Sequence, residues 1–156
     1  MKPANELQAL LSQRTWDKEL ILWRGLEKPL FDCLSPVKHV TIDLLDLFQP
    51  GDLQMDDEET KGALHSRLRQ RLKAMPRGPD NRTVLVVKSI GLLARYRVGL
   101  NDFYDWFIGS HTVVVLLLEA AEDHTEWPEE VRLDTNQLFG YFAEPGMVKE
   151  VYAANA

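Results

Sequence analysis

Two apolar stretches decide the fold: RTVLVVKS, residues 82–89, and HTVVVLLLE, residues 111–119. Neither alternates with polar residues, and continuous runs of Val and Leu are typical of strands that are buried on both faces of a parallel sheet. The segment between them, residues 91–107, repeats apolar residues at helical spacing and is followed by Gly109. The pattern predicts a βαβ unit, in which a helix joins two neighbouring parallel strands.

Other segments extend this unit. ELILWRG (residues 19–25) predicts a first buried strand and HVTIDLLDLF (39–48) a second, while helices are predicted over residues 5–13 and 57–75. VRLDTNQLFGYF (131–142) predicts a last edge strand or a short helix, and the remaining tail reads as mostly irregular. We therefore predict an α/β fold with a small, mostly parallel sheet of about four or five strands flanked by helices.

Length and composition favour a single domain. The chain has 156 residues, of which 45% are hydrophobic, so residues 1–156 are predicted to form one core. No run approaches the roughly 18 apolar residues of a membrane span, and the start, MKPANELQAL, lacks the pattern of a secretory signal, so we expect a cytoplasmic protein. The single cysteine, Cys33, excludes an internal disulfide and is expected to be a buried small hydrophobic residue.

Charge is distributed unevenly along the sequence. The net charge is −6, yet residues 61–97 hold ten Lys or Arg and one acid, Asp80, whereas the rest holds 8 Lys or Arg and 23 acids. Such segments either pair within the fold or present two charged faces to a partner. Both interpretations remain open at the level of the sequence.

The turn after the first strand is where a nucleotide-binding protein of this class places its phosphate loop, with the pattern G-x-x-x-x-G-K-[ST]. The chain has RGLEKPLF (24–31) there, with Gly25 and Lys28 but no second glycine and no hydroxyl. Pro29 removes a backbone donor. We predict a RecA/P-loop-like core with a degenerate phosphate loop, and Arg24 with Lys28 as an alternative, residual phosphate site.

The third strand ends in Lys88 and Ser89, where metal-assisted phosphoryl transfer needs a carboxylate. The four histidines lack metal-ligand spacing, and no serine lies in a nucleophile elbow. No catalytic residue, metal site or cofactor is predicted, and the protein is not expected to be an enzyme.

Two other features are candidates for contacts with partners. Arg67, Arg71, Lys73 and Arg77 form a basic helix and its extension, which could meet nucleic-acid phosphates or be a solvent-facing helix balanced by the acids of MDDEE (55–59). Trp127, in the acidic loop TEWPEE, is the best candidate for an exposed anchor to a protein partner.

Four short motifs follow one another along the chain: IDLLDL (42–47), GLL (91–93), ND (101–102) and LFG (138–140). With this arrangement, residues 18–152 resemble BrxB, a family of small accessory proteins of the BREX bacteriophage-defence systems. The segment YFAEPGMVKEVY (141–152) is similar to the end of a second BREX family, BrxF, but that family carries an intact phosphate loop and this chain does not.

The resemblance implies a RecA-like core without nucleotide hydrolysis. It also implies that the protein is an adaptor in a defence complex, which includes the phosphatase-like protein PglZ and a DNA methyltransferase. The alternative function is a nucleotide- or nucleic-acid-binding protein that uses the basic helix and the residual phosphate site.

Overall fold

Six strands form one sheet in the computed structural model, which describes residues 2–12, 19–35, 37–49, 54–75, 82–96, 103, 111–118 and 148–153. In chain order the elements are β1 (Lys2–Pro3), α1 (Ala4–Leu11), β2 (Glu19–Arg24), α2 (Glu27–Leu34), β3 (His39–Asp43), a 3₁₀ helix (Leu44–Leu47), α3 (Asp57–Ala74), β4 (Arg82–Lys88), α4 (Gly91–Arg95), β5 (His111–Leu118) and β6 (Val148–Ala153). The strand order is β1-β6-β2-β5-β4-β3, and every described pair is parallel.

The predicted α/β class and the βαβ unit are confirmed, since β4 and β5 are parallel neighbours. The described residues form six strands, one more than the upper end of the predicted four or five. Two strands were not predicted from the sequence: β1, which has only two residues, and β6, which lies in the tail predicted to be mostly irregular. The element predicted over residues 131–142 lies outside the described residues.

The two faces of the sheet hold two separate apolar layers, because side chains of a strand alternate between faces. One layer joins the sheet to α3, α4 and the 3₁₀ helix; its strand members include Leu20, Leu22, Ile42, Leu85, Val87, Val114, Leu116 and Leu118. The other joins the sheet to α1 and α2, with Ile21, Trp23, Val84, Val86, Val113, Val115 and Leu117. The continuous apolar runs of β4 and β5 thus supply both layers, as the sequence predicted.

Helix α3 covers one face with a stripe of residues four apart. Thr60, Leu64, Leu68 and Leu72 are buried, while intervening positions are exposed or half-buried. The helix begins after Asp56, whose carboxylate accepts a hydrogen bond from the Glu59 N–H at 2.8 Å. Acids fill its first turn and basic residues its last turn, which complements the helix dipole.

Candidate functional site

The connections of β2 and β5 leave the sheet in opposite directions. The chain after β2 continues to β3 at the far edge, and the chain after β5 continues to β6 on the other side of β2. Because β2 and β5 are neighbours, a topological switch point lies between their carboxyl ends. Ligands of open parallel sheets bind at such points, so this edge is the place to look for a site.

A tight turn closes the switch point. Gly25 has a φ of 140°, a conformation that side chains disfavour, and its N–H donates to the Leu118 carbonyl at 3.0 Å, joining the ends of β2 and β5. The indole Nε1–H of buried Trp23 donates to the Leu26 carbonyl at 3.0 Å. Leu26 is the N-cap of α2 and gives no side-chain cap, while its own side chain is 69% exposed.

The first turn of α2 carries an acid that forms an ion pair within the chain. The Lys88 ammonium at the end of β4 lies 3.2 Å and 3.1 Å from the two Glu27 carboxylate oxygens. The Lys88 and Glu27 side chains are 27% and 41% exposed, so water screens the attraction in part. This pair bridges the switch point, since β5 lies between β2 and β4 in the sheet.

A second polar link joins the ends of β3 and β4. Ser89 follows β4 with a φ of 62°, and its hydroxyl donates to Asp43 Oδ1 at 2.7 Å. The same oxygen accepts the Leu45 N–H at 3.1 Å and so caps the 3₁₀ helix. A serine in the left-handed region costs about 1 kcal/mol or more, and the hydrogen bond to Asp43 offsets part of that cost.

Two polar pairs therefore lie at the carboxyl ends of the strands: Glu27 with Lys88, and Asp43 with Ser89. The sequence indicated Lys88 and Ser89, but not the contacts of Glu27 and Asp43. Glu27 is 61 positions from Lys88, and Asp43 is 46 from Ser89, so no local pattern links them. In each pair a carboxylate accepts a hydrogen bond from a residue at the end of β4, which is a structural role for both acids.

The residual phosphate site has only part of its predicted geometry. Arg24 ends β2 and is half-buried, whereas Lys28 lies exposed in the first turn of α2. Between them stands Glu27, whose negative charge occupies the helix end that would attract a phosphate.

The basic residues of α3 do not all lie on one side of the helix: Arg67 and Arg71, four apart, share a side that Lys73 does not. Arg67 is half-buried and donates from Nη1 to the Leu47 carbonyl at 3.0 Å, tying α3 to the 3₁₀ helix. Arg71 and Lys73 are exposed, but residues two apart on a helix project about 200° from each other. Arg77 and Trp127 lie outside the described residues, so their predicted contacts stay predictions.

Cys33 is buried, as predicted from the sequence. Burial raises the pKa of its thiol, and the nearby Asp32 carboxylate raises that pKa further, so the residue is a neutral thiol at physiological pH. Among the described residues, no group of three or more His, Cys, Asp or Glu is arranged to hold a metal ion. None of the described helices is long and apolar enough to cross a membrane.

Neither a protein-family model nor a curated protein matches the chain. Among solved structures, it is similar to a chain in the structure of Drosophila ORC bound to DNA, with a TM-score of 0.43 and 16% sequence identity. The similarity covers 80% of this chain but only 38% of the ORC chain. Similarity at this level carries no argument about what this protein binds or does.

Proposed function

We propose that the protein is a non-catalytic interaction module, an adaptor of a BREX-like bacteriophage-defence complex. The observation that supports this most directly is the Glu27–Lys88 ion pair across the switch point. An anionic ligand at the start of α2 would meet the Glu27 carboxylate, and it would have to compete with that carboxylate for Lys88.

The end of β4 supports the same proposal. Phosphoryl transfer uses a metal-binding carboxylate near this position, but here Lys88 brings a positive charge. The nearby carboxylate on β3, Asp43, accepts hydrogen bonds from Ser89 and Leu45. We infer a RecA-like core whose phosphate loop is degenerate and whose former ligand site contributes to stability.

The proposed partners come from the resemblance to BrxB. They are a PglZ-like protein and a DNA methyltransferase of the same defence system, and the proposed location is the cytoplasm. The exposed Leu26 at the switch point and Trp127 are the apolar side chains that we propose as contacts.

The test is direct binding between the purified protein and the purified PglZ-like protein or methyltransferase encoded beside it. We expect saturable binding, and we expect Trp127→Ala to weaken it about 30-fold or more if the indole is a buried anchor. Trp127→Phe keeps an aromatic ring and is the matched control. Failure of the wild-type chain to bind either partner would overturn the adaptor proposal.

The competing function, nucleotide or nucleic-acid binding, makes a different prediction. Titration with Mg-ATP and with labelled duplex DNA at low and high salt measures it, because phosphate contacts weaken steeply as salt rises. DNA binding lost on replacing the exposed Arg71 and Lys73 by Glu, but kept in Lys38→Glu, would favour that function. ATP binding lost in Lys28→Ala would favour the residual phosphate site.

A further inference from the structure

The two edges of the described sheet differ in how they treat their outer backbone. At one edge, β1 has two residues, Lys2 and Pro3, which pair with Tyr152 and Ala153 of β6. A very short strand, a lysine and a proline are the usual devices that prevent an edge from pairing with another chain. This edge is therefore protected.

The other edge lacks these devices. Strand β3 has five residues, HVTID, and contains neither proline nor lysine. Within the described residues it pairs on one side only, with β4. Thr41 at its centre is exposed, and the apolar layer beneath α1 and α2 contains no residue of β3.

We propose that a second copy of this chain pairs with β3 in an antiparallel arrangement centred on Thr41. The sequence of the strand is self-complementary in that register: His39 lies opposite Asp43 of the second copy, Val40 opposite its Ile42, and Thr41 opposite its Thr41. The two-fold axis repeats the His39–Asp43 pair, so the same pair stands at both ends of the paired strands.

Each of these cross-strand pairs is of a favourable type: an imidazole with a carboxylate, two β-branched apolar residues, and two threonines. His39, Thr41 and Asp43 lie on the same side of the strand, because alternate residues point to the same side, and on that side Thr41 is exposed while His39 and Asp43 are half-buried. The polar pairs thus meet where water already reaches the strand, and Val40 with Ile42 extends the apolar layer of the opposite face.

Contacts within the chain hold the His39 side chain in place at the start of β3. The His39 ring lies 5.3 Å from the Phe31 ring, centroid to centroid, and its Nδ1 is 3.1 Å from the Val37 carbonyl oxygen. Since a carbonyl can only accept, Nδ1–H donates, which fixes the ring; Nε2 then donates to Asp43 of the second copy when the imidazole carries a second proton.

This inference does not depend on the proposed adaptor function. Its test begins with sedimentation of the purified protein from about 1 to 100 µM, a range that covers typical reversible dimers. We expect a monomer–dimer equilibrium. His39→Glu places two acids opposite each other twice in the dimer, and Asp43→Lys places two basic residues opposite each other twice, so each variant alone is expected to dimerise at least about tenfold more weakly.

The mixture of the two variants is the decisive sample. In a mixed dimer, Glu at position 39 of one chain faces Lys at position 43 of the other, and the remaining pair is the native His39–Asp43, so the mixture is expected to dimerise again. Rescue cannot arise from misfolding, because a variant that fails to fold pairs with neither copy. A wild-type chain that stays monomeric at 100 µM, or weakened variants that do not recover on mixing, would overturn the proposal.

Cross-linking checks the register independently. Thr41→Cys is a substitution at an exposed position and places two thiols directly opposite each other across the two-fold axis, at a Cβ separation of about 4.5–5.5 Å, the near end of which a disulfide can span. We expect rapid formation of a disulfide-linked dimer. Ser12→Cys, exposed at the end of α1, is the matched control and is expected to stay monomeric. Equal cross-linking of the two variants, or linkage of Thr41→Cys to a different protein only, would overturn the assignment.

Discussion

Strands β4 and β3 are parallel neighbours in the sheet, yet their side chains differ in how far they are buried. In β4, Thr83, Val84, Leu85, Val86 and Val87 are all buried, so both faces of the strand are covered. In β3, Ile42 is buried and Thr41 is exposed. The difference follows from position, since β4 lies between β3 and β5 while β3 is the last strand of the described sheet.

The interior strand β4 contributes mainly to stability, whereas the edge strand β3 keeps groups exposed that can contact a partner. An interior strand contributes through apolar area removed from water on both faces, at roughly 25 cal/mol per Å². An edge strand buries one face and keeps polar side chains and backbone groups available on the other. Substitutions in β4 are therefore expected to change folding, whereas a substitution at an exposed position of β3, such as Thr41, is expected to change association more than folding.

Matched valine substitutions give the largest expected contrast. Val86→Ala removes two methyl groups from a fully buried position of β4 and is expected to lower the free energy of unfolding by about 2 kcal/mol. Val40→Ala makes the same chemical change at a half-buried position of β3 and is expected to cost less than about 1 kcal/mol. Denaturant unfolding at a concentration where both are monomeric measures the difference. Equal losses would contradict the comparison.

The hydrogen bond that links the two strand ends gives an intermediate effect. Ser89→Ala keeps the left-handed backbone and loses the bond to Asp43, so it is expected to lower the free energy of unfolding by about 1 kcal/mol. Ser89→Gly loses the same bond but relieves the backbone strain, so it is expected to stay within about 0.5 kcal/mol of wild type. Thermal or denaturant unfolding of the two variants compares them, and an alanine variant more stable than the glycine variant would refute this account.

The ion pair at the end of β4 gives the smallest effect. A double-mutant cycle with Lys88→Met and Glu27→Gln is expected to yield a coupling below about 1 kcal/mol, because both side chains are partly exposed. The coupling is expected to shrink at high salt. A coupling above about 2 kcal/mol, unchanged by salt, would show that the pair is more strongly shielded from water than its exposure indicates.

The interior of the fold could be predicted from the sequence with little error. The sequence predicted strands β2, β4 and β5 and helix α3. Continuous apolar runs are typical of buried strands, and apolar residues that recur every three or four positions are typical of a helix. Strand β6 was missed because VKEVYA mixes charged and apolar residues and follows a loop-like segment. Its strand conformation depends on pairing with β2 and β1, which no local pattern reveals.

The candidate site could be predicted only in part. The sequence shows that Lys88 and Ser89 follow a strand at the edge where ligands bind, and that the loop after β2 departs from a phosphate loop. It does not show that Glu27 reaches Lys88 or that Asp43 reaches Ser89. Those contacts require the order β2-β5-β4-β3, which places residues from distant parts of the chain at one edge.

By itself, the sequence determined which segments must be buried, and hence the α/β class, because removing long apolar runs from water lowers the free energy of the chain. The tertiary structure alone decided which strand became an edge and which strand ends met. The order of the strands sets which backbone groups and side chains stay exposed, and this order depends on contacts between segments that are far apart in the chain. The same chain therefore has an interior fixed by local hydrophobic pattern and a polar edge fixed by strand order.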